Sequence, residues 1–402
     1  MSNLVEIHNL RVKFNTDSGE VNAVNGISFN IKKGETLALV GESGSGKSVT
    51  ARGIIRLLAS NAVLAEETKI TFDGKNINTY SEKEYQKIRG NKISMIFQEP
   101  MSSLNPIYTI ENQISEVLKI HDKYSDKELK NKCLELLKQV QMPEPESRLS
   151  QYPHQLSGGQ RQRIMIAIAI ANNPDLLIAD EPTTALDVTI QAQILDLMIK
   201  LKNEIGMSIL FITHDLGLIQ KFSDTITVMQ DGEIVEQGDT KTVFSNPQHA
   251  YTKKLIDSEP EAKKETLSEK NSFMDVKDLN IFYPLPNRNF FKKEFFHAVK
   301  DVNFSIPRQS TIGLVGESGS GKSTLGKALA GLIDFKGSVL FDDLSLESIL
   351  SSSPERFIGY LPQDVLMNPG SVAENIAGLR NPESEQVVKV AKNSCKTIEH
   401  YL

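Results

Sequence analysis

Residues 36–58, TLALVGESGSGKSVTARGIIRLL, place a glycine-rich loop between a short apolar run and a segment with helical spacing. The central octapeptide, residues 41–48, fits the pattern GxxxxGK[ST] of a phosphate-binding loop. A buried strand that ends at such a loop, with a helix directly after it, is the context that gives the pattern structural meaning. These residues therefore predict an α/β fold in which a strand carries a phosphate-binding loop.

The residue types in this loop suit a triphosphate. Glycines let the backbone turn tightly, so that successive N–H groups face the phosphates, and the following helix adds the positive end of its dipole. We expect Lys47 to reach the β- and γ-phosphates of ATP, and the Ser48 hydroxyl to bind Mg²⁺. The predicted ATP-binding residues of the loop are Gly41, Ser43, Gly44, Ser45, Gly46, Lys47, Ser48 and Val49.

The octapeptide GESGSGKS occurs a second time, at residues 316–323. The similarity extends upstream, where AVNGISFNIKKGETLALV at 23–40 parallels AVKDVNFSIPRQSTIGLV at 298–315. A repeat of this size indicates two domain-sized units. The predicted ATP-binding residues of the second copy are Tyr283, Gly316, Gly319, Gly321, Lys322, Ser323 and Thr324.

An acid pair, Asp180 and Glu181, follows the apolar run at residues 176–179. We expect this run to form a strand directly beside the loop-bearing strand, as in other folds with a phosphate-binding loop. Asp180 would then hold Mg²⁺ through water, and Glu181 would polarise the attacking water as a general base. Acidic pairs are common on protein surfaces, so the prediction depends on the apolar run and on the loop upstream.

The motif LSGGQ, at residues 156–160, makes the first unit resemble the nucleotide-binding domain of an ABC ATPase. The resemblance implies a P-loop NTPase fold with a RecA-like core, an antiparallel β subdomain and an α-helical subdomain. In that family LSGGQ faces the nucleotide held by the opposite domain, so that ATP is shared across an interface. The resemblance therefore implies contacts to a partner's nucleotide for Ser157, Gly158, Gly159 and Gln160.

Further residues receive roles only through this resemblance. Gln98 matches the residue that senses Mg²⁺ and the transport partner, and His214, in the sequence THD, matches a switch residue at the γ-phosphate. With Glu181 they form the implied catalytic set, while Asp187 matches a loop at the interface. Phe14 is placed to stack on adenine, which contributes about 1–3 kcal/mol, although a phenylalanine at a strand end is often only part of a core.

The second copy departs from the pattern. Tyr283 is its candidate adenine stacker, and Gln363, in the sequence YLPQD, matches the Mg²⁺-sensing glutamine, with Ser323 as a second metal ligand. From Val365 onward there is no SGG motif, no apolar run that ends in Asp-Glu and no Thr-His-Asp. The first unit is thus expected to be complete and the second partial.

These differences predict a complete ABC ATPase domain at residues 1–258, a linker at 259–272 and a partial second copy at 273–402. A sheet that lacks its acid-bearing strand exposes an apolar edge, which is an aggregation hazard. We therefore expect the second copy to be unstable or poorly ordered alone, or the sequence to be a truncated product. Because no pairing of the two units within one chain gives a full site, we expect hydrolysis to need two copies or another ATPase subunit.

Two stretches narrow the resemblance to the peptide and nickel importers: QEPMSSLNP at 98–106 and NPQHAYTKKL at 246–255. This branch implies an ATP-hydrolysing subunit that energises a bacterial importer for dipeptides, oligopeptides or glutathione. The implied partners are two membrane permease subunits, an extracellular solute-binding protein and a second ATPase domain, with a peripheral location at the cytoplasmic face of the membrane. The alternative is a vestigial or regulatory protein that binds ATP and hydrolyses it weakly or not at all.

The composition is that of a soluble globular protein, with 39% hydrophobic and 24% charged residues among 402. The net charge of −6 argues against nucleic acid as a partner. The most apolar run, IMIAIAIA at 164–171, is far shorter than the ~20 residues of a spanning helix, so we expect it in a buried core helix. An ABC protein acting on ribosomes or DNA is disfavoured, because the linker is short and zinc-binding cysteines are missing.

Periodicity predicts further elements. Residues 4–14 and 23–31 alternate apolar and polar side chains as half-buried strands do. Residues 189–205 are predicted to form an amphipathic helix, and the QDGE turn within 226–235 is typical of a hairpin. Residues 81–142, rich in Lys, Glu, Leu and Ile, are predicted to form a mainly helical insertion.

Overall fold

The structure is a computed structural model that describes residues 2–17, 19–98, 103–183, 186–257, 272–285, 294–317, 319–352, 358–362, 369–376 and 387–390. The chain divides into two units, Met1–Lys264 and Glu265–Leu402. All but the last residue of the predicted linker at 259–272 lies outside the described residues.

The first unit contains both strands and helices. Its strands are β1 (Asn3–Thr16), β2 (Gly19–Lys32), β3 (Thr36–Val40), β4 (Ala62–Leu64), β5 (Lys69–Phe72), β6 (Lys75–Asn76), β7 (Ile93–Ile96), β8 (Leu176–Asp180), β9 (Ser208–Thr213), β10 (Thr225–Gln230) and β11 (Glu233–Asp239). Its helices are α1 (Lys47–Ile54), α2 (Glu82–Ile88), α3 (Ile110–His121), α4 (Asp126–Gln139), α5 (Pro145–Arg148), α6 (Gly158–Ile170), α7 (Val188–Ile205), α8 (Leu216–Phe222), α9 (Thr240–Ser245) and α10 (Ala250–Asp257).

The core of the first unit is a six-stranded sheet in the order β11–β10–β3–β9–β8–β7. The strands from β10 to β7 run parallel and are almost fully buried, as their unbroken apolar sequences require. β11 pairs with β10 in antiparallel fashion, so the hairpin predicted within residues 226–235 is confirmed. The carboxyl ends of the parallel strands meet at one edge of the sheet, where the phosphate-binding loop follows β3.

The expected position of the acid-bearing strand is wrong. β9 lies between β3, which carries the loop, and β8, which ends in Asp180, and it pairs in parallel with both. Short apolar runs carry no sign of their lateral order, because each of them can be buried on both faces of a parallel sheet. The strands that carry the loop and the acid pair therefore lie two strand spacings apart.

The predicted helical insertion at residues 81–142 contains a strand as well as helices. α2, α3 and α4 confirm its helical character. The run ISMI within it, however, is β7, which pairs with β8 at the edge of the central sheet. Four residues are too few to outweigh the helical periodicity of the lysine- and glutamate-rich segments around them.

Helices α3, α4, α6 and α7 share one apolar cluster, which covers one face of the central sheet. The run at residues 164–171 lies almost wholly in α6, and Ile164, Ile166 and Ile170 have no exposed surface, so its predicted burial is confirmed. Within the described parts of the chain, no helix combines the length and the apolarity that crossing a membrane requires.

β1 and β2 are the strands predicted from alternation at residues 4–14 and 23–31. They belong to an antiparallel sheet in the order β2–β1–β5–β6, with β4 paired to β1. Val5, Ile7 and Leu10 point inward and pack with Ile54 of α1 and Leu39 of β3. This packing fixes α1, and with it the phosphate-binding loop, between the two sheets.

The second unit contains the strands β12 (Ser272–Pro284), β13 (Phe295–Pro307), β14 (Lys336–Phe341) and β15 (Leu344–Ser345) and the helices α11 (Lys322–Leu329), α12 (Leu346–Ser352) and α13 (Val372–Ile376). The sheet order is β13–β12–β14–β15. Residues 311–315, which parallel β3, form no strand, and Leu314 and Val315 are 54% and 90% exposed. The predicted instability of this unit stays a prediction.

Candidate active site

The phosphate-binding loop folds as the glycine pattern requires. Gly41, Gly44 and Gly46 have φ values of 151°, 85° and 97°, in the region that favours glycine. A Cβ atom on Gly41 would lie 2.1 Å from the carbonyl oxygen of Met229 in β10, and a Cβ on Gly46 would lie 2.5 Å from that of Ala23. The loop is therefore pressed against neighbouring backbone at two points where only glycine fits.

Lys47 is held inside this loop. Its ammonium donates to the carbonyl oxygens of Gly41 and Glu42, at 2.8 and 2.7 Å, and to the Ser45 hydroxyl at 3.3 Å. Burial lowers the pKa of Lys47, while the charges of nearby carboxylates raise it. The loop thus presents a desolvated cation, whose attraction for an anion is stronger than in water. Ser43 is exposed, and Val49 is half-buried.

Asp180 forms the second part of the site. Its Oδ1 accepts a hydrogen bond from the Ser48 hydroxyl at 2.9 Å. The residue has no exposed surface, and among the described residues its Oδ2 has no hydrogen-bond partner. Burial raises the pKa of Asp180, against the hydrogen bond from Ser48. A buried carboxylate oxygen beside a serine hydroxyl fits Mg²⁺, which binds one or two carboxylates together with phosphate oxygens.

Glu181 contacts both other residues of the implied catalytic set. Glu181 accepts a hydrogen bond on Oε2 from Gln98 Nε2 at 3.1 Å, and its Oε1 lies 3.2 Å from His214 Nδ1. Each residue follows the carboxyl end of a different strand: Gln98 follows β7, Glu181 follows β8 and His214 follows β9. Open α/β sheets bind their ligands at this edge, and here two side chains orient the carboxylate of the third.

The LSGGQ motif forms the start of α6. Ser157 caps the helix, accepting from the N–H of Gln160 at 3.3 Å, and the Gln160 side chain accepts from the N–H of Ser157 at 3.0 Å. Gly159 faces α7, where a Cβ would lie 2.8 Å from Ile190, and Gly158 faces Leu186 just before that helix. The glycines let the two helices approach closely, and the positive end of α6 stays exposed.

Asp187 caps α7 and accepts from the N–H of Ile190 at 2.9 Å. The LSGGQ motif and Asp187 thus form a pair of helix starts that pack on each other. The hydrogen bonds above join neither of them to the phosphate-binding loop of the same unit.

The two candidate adenine stackers lie on long strands. Phe14 is half-buried, pairs with Val21 and Ala62 in its sheet, and packs against the core of that sheet. Tyr283 is 39% exposed and lies opposite Phe296 in β13. Stacking on adenine stays a prediction for both residues.

The second loop repeats the fold of the first. Gly316, Gly319 and Gly321 have φ values of 158°, 83° and 92°. Lys322 donates to the carbonyl oxygens of Gly316 and Glu317 and to the Ser320 hydroxyl, as Lys47 does in its own loop. Ser323 is exposed and Thr324 is half-buried at the start of α11, while Gln363 lies outside the described residues.

Two family profiles match this chain. The profile of the ABC transporter family matches residues 24–184 and 299–400. The chain belongs to the ABC transporter family. The profile of the oligopeptide/dipeptide transporter C-terminal region matches residues 235–278, which include the end of β11 and all of α9 and α10.

Curated relatives come from bacterial transport systems. The chain is 49% identical over 348 residues to the peptidoglycan transport ATP-binding protein YejF of Agrobacterium fabrum, covering 86% of this chain and 64% of that protein. It is 40% identical over 382 residues to the glutathione import ATP-binding protein GsiA of Shigella boydii, covering 86% and 61%. It is 51% identical over 260 residues to the oligopeptide transport ATP-binding protein OppD of Bacillus subtilis, covering 65% and 73%. The chain thus spans less than two thirds of the length of the first two of these relatives.

Among solved structures, a dimeric post-hydrolysis state of the ATP-binding cassette MJ0796 bound to ADP and Pi matches with a TM-score of 0.53 and 32% identity. The match covers 59% of this chain and 98% of that one. The predicted α/β fold of an ABC ATPase is therefore confirmed.

Sequence reasoning missed one residue at the phosphate-binding loop. Tyr251 of α10 accepts a hydrogen bond from the backbone N–H of Glu42 at 2.9 Å. The stretch around Tyr251 served only to identify the importer branch. A tyrosine on the apolar face of a short helix is a weak signal, because most such tyrosines are ordinary core residues.

Asp180→Asn is expected to raise the melting temperature of the nucleotide-free protein at about pH 8 and to lose this advantage towards about pH 5. Because burial raises the pKa of Asp180, the folded wild type carries the desolvation cost of a charged carboxylate at high pH. As the pH falls through the raised pKa, the carboxyl becomes neutral and the cost disappears. Thermal unfolding of both proteins across a pH series measures the difference.

The matched control for this prediction is Asp196→Asn on the exposed face of α7, where no pH-dependent difference is expected. A difference between wild type and Asp180→Asn that did not change with pH would contradict the prediction.

Proposed function

We propose that this chain is an ATP-hydrolysing subunit that energises the uptake of peptides by a bacterial ABC importer. The observation that carries the proposal is the contact of Glu181 with both Gln98 and His214, at the sheet edge that also carries the phosphate-binding loop and Asp180. An acid pair on a protein surface has no reason to be oriented by two further polar side chains.

In the proposed mechanism, the backbone N–H groups of the loop and the Lys47 ammonium bind the β- and γ-phosphates of ATP. Ser48 and Asp180 would hold Mg²⁺, with Gln98 as a further ligand. When bound, the ion neutralises charge on the phosphate oxygens. Glu181 accepts a proton from the attacking water, and His214 orients the Glu181 carboxylate and contacts the γ-phosphate.

We further propose that each site is completed by LSGGQ from another ATPase domain. The exposed start of α6 directs N–H groups and the positive end of a helix dipole outward, which suits a phosphate held by a facing domain. ATP then joins two domains, and hydrolysis separates them. The facing domain is a second copy of this chain or another ATPase subunit, and the dimeric cassette MJ0796 is consistent with such an arrangement.

The solute class rests on the comparisons. Residues 235–278 match the oligopeptide/dipeptide transporter C-terminal region, and we call residues 235–257 of this segment the tail of the first unit. The relatives carry names for peptidoglycan, glutathione and oligopeptide transport. We propose a peptide-like solute, two membrane permease subunits and an extracellular solute-binding protein, with this chain peripheral at the cytoplasmic face. We propose that residues 1–258 form the complete ATPase domain, that 259–272 form the linker and that 273–402 form the partial second copy.

Phosphate release from ATP by the purified chain is expected to require Mg²⁺ and to fall to background when EDTA removes the metal, because the Asp180 carboxylate can act on the phosphates only through a cation. Restoring Mg²⁺ after chelation is the control, and activity should return. Release that persists in EDTA would contradict the proposed metal site. Absence of release under all conditions would favour the alternative of a protein that only binds ATP.

A further inference from the structure

The contact between Tyr251 and Glu42 joins the tail of the first unit to the phosphate-binding loop. The peptide between Gly41 and Glu42 is held at both ends: its N–H donates to the Tyr251 oxygen at 2.9 Å, and its C=O accepts from the Lys47 ammonium at 2.8 Å. Lys47 is the residue proposed to bind the phosphates. A side chain 209 residues further along the chain thus orients the first peptide of the loop.

The surroundings of Tyr251 hold it firmly. The residue is 8% exposed and belongs to an apolar cluster with Val40, the last residue before the loop, and Val228 of β10. The start of α10 is fixed separately, because Glu236 accepts hydrogen bonds from the N–H groups of Gln248 and His249 at 2.8 and 3.0 Å. The position of the Tyr251 hydroxyl oxygen is therefore fixed by the packing of its ring in this cluster and by the hydrogen bonds of Glu236 near the start of α10.

The opposite side of the same peptide is also closed. A Cβ atom on Gly41 would lie only 2.1 Å from the carbonyl oxygen of Met229. The peptide consequently has the β10 backbone on one side and the tail on the other. Its orientation depends on the tail because the tail supplies the partner of its N–H.

We propose that Tyr251 is a positioning residue that, through the Glu42 N–H, preorganises the phosphate-binding loop and so couples the tail to nucleotide binding. The inference rests on the proposed function, since it needs the loop to bind a nucleoside di- or triphosphate. It extends the site to Tyr251, which lies within the segment 235–278 and beyond the first segment matched by the ABC transporter profile. A tyrosine that served only as core would need no hydroxyl at this position.

Tyr251→Phe removes only the hydroxyl and keeps the ring. We expect the Kd for MgATP and for MgADP to rise about fivefold, because one neutral hydrogen bond is lost and a backbone N–H is left without its partner. The kcat at saturating ATP is expected to stay within about twofold, because no group that touches the reacting atoms changes. Titration of both variants with a fluorescent nucleotide and steady-state phosphate release measure the two quantities.

Val243→Ala is the matched control, since Val243 belongs to the same apolar cluster. It is expected to lower the melting temperature without changing either Kd by more than about twofold. Equal Kd values in wild type and Tyr251→Phe would overturn the inference while leaving the proposed function intact. A wild type that binds neither nucleotide would overturn both.

A second measurement needs no variant. Coupling between two sites is reciprocal, so nucleotide must stabilise the docked tail if the tail stabilises the nucleotide site. MgADP is expected to slow amide hydrogen exchange in α10 of the wild type about fivefold under conditions of local opening. Unchanged exchange in α10, with slowed exchange in the loop, would overturn the coupling.

Discussion

Replacing Glu181 by glutamine is expected to lower the rate of phosphate release at least about a hundredfold, while ATP still binds. The amide has the size of the carboxylate and can still meet Gln98 and His214, so the site keeps its shape. It cannot accept a proton from water, so the general base is lost. Single-turnover phosphate release together with a nucleotide titration separates the loss of chemistry from a loss of binding.

Glu233→Gln is the control, because Glu233 is an exposed carboxylate at the start of β11, outside the site. It should keep the wild-type rate. Glu181→Gln should also favour the ATP-bound dimer in size-exclusion chromatography, since the nucleotide that joins the two domains is no longer hydrolysed. Release by Glu181→Gln at a rate close to wild type would show that another group, or none, acts as the base.

Mixing two inactive variants, Lys47→Ala and Ser157→Arg, is expected to restore phosphate release. Each variant alone places its lesion in both sites of a symmetric dimer. In the mixed dimer, one site combines the intact Lys47 of one copy with the intact Ser157 of the other, and the second site carries both lesions. Random pairing of equal amounts makes half of the dimers mixed, so about a quarter of the wild-type activity should return.

A mixture of Lys47→Ala with Glu181→Gln serves as the matched control. Both of these lesions lie in the half of the site formed by the phosphate-binding loop and the acid pair, so every site in the mixed dimer remains defective. Restoration in the first mixture and none in the second is the expected result. No restoration in either would mean that two copies of the first unit do not share their sites, and that another ATPase subunit supplies the missing half.

The sequence predicted well those features that depend on neighbouring residues. The strand, loop and helix around Lys47, the hairpin of β10 and β11 and the burial of residues 164–171 each follow from a local pattern of glycines or apolar residues. The candidate site residues were also identified singly, as members of motifs. Each of these signals lies within a few residues of the structure that it predicts.

Features that depend on lateral position were not predictable in this way. Nothing in the runs of β8 and β9 states which of them lies beside β3, because both are fully buried. β7 was not predicted from the sequence, because its four residues lie within a long segment of helical periodicity. The Tyr251–Glu42 hydrogen bond joins residues 209 positions apart, and only the folded sheet brings them together.

The position of β9 has a consequence for the width of the site. Neighbouring strands lie about 5 Å apart, so one intervening strand separates the loop-bearing and acid-bearing strands by about 10 Å. The end of β9 lies between them and is followed by His214, whose Nδ1 lies 3.2 Å from Glu181 Oε1. Asp180 still reaches Ser48 at 2.9 Å, so the wider spacing admits a third functional side chain at this edge without parting the carboxylate from the loop.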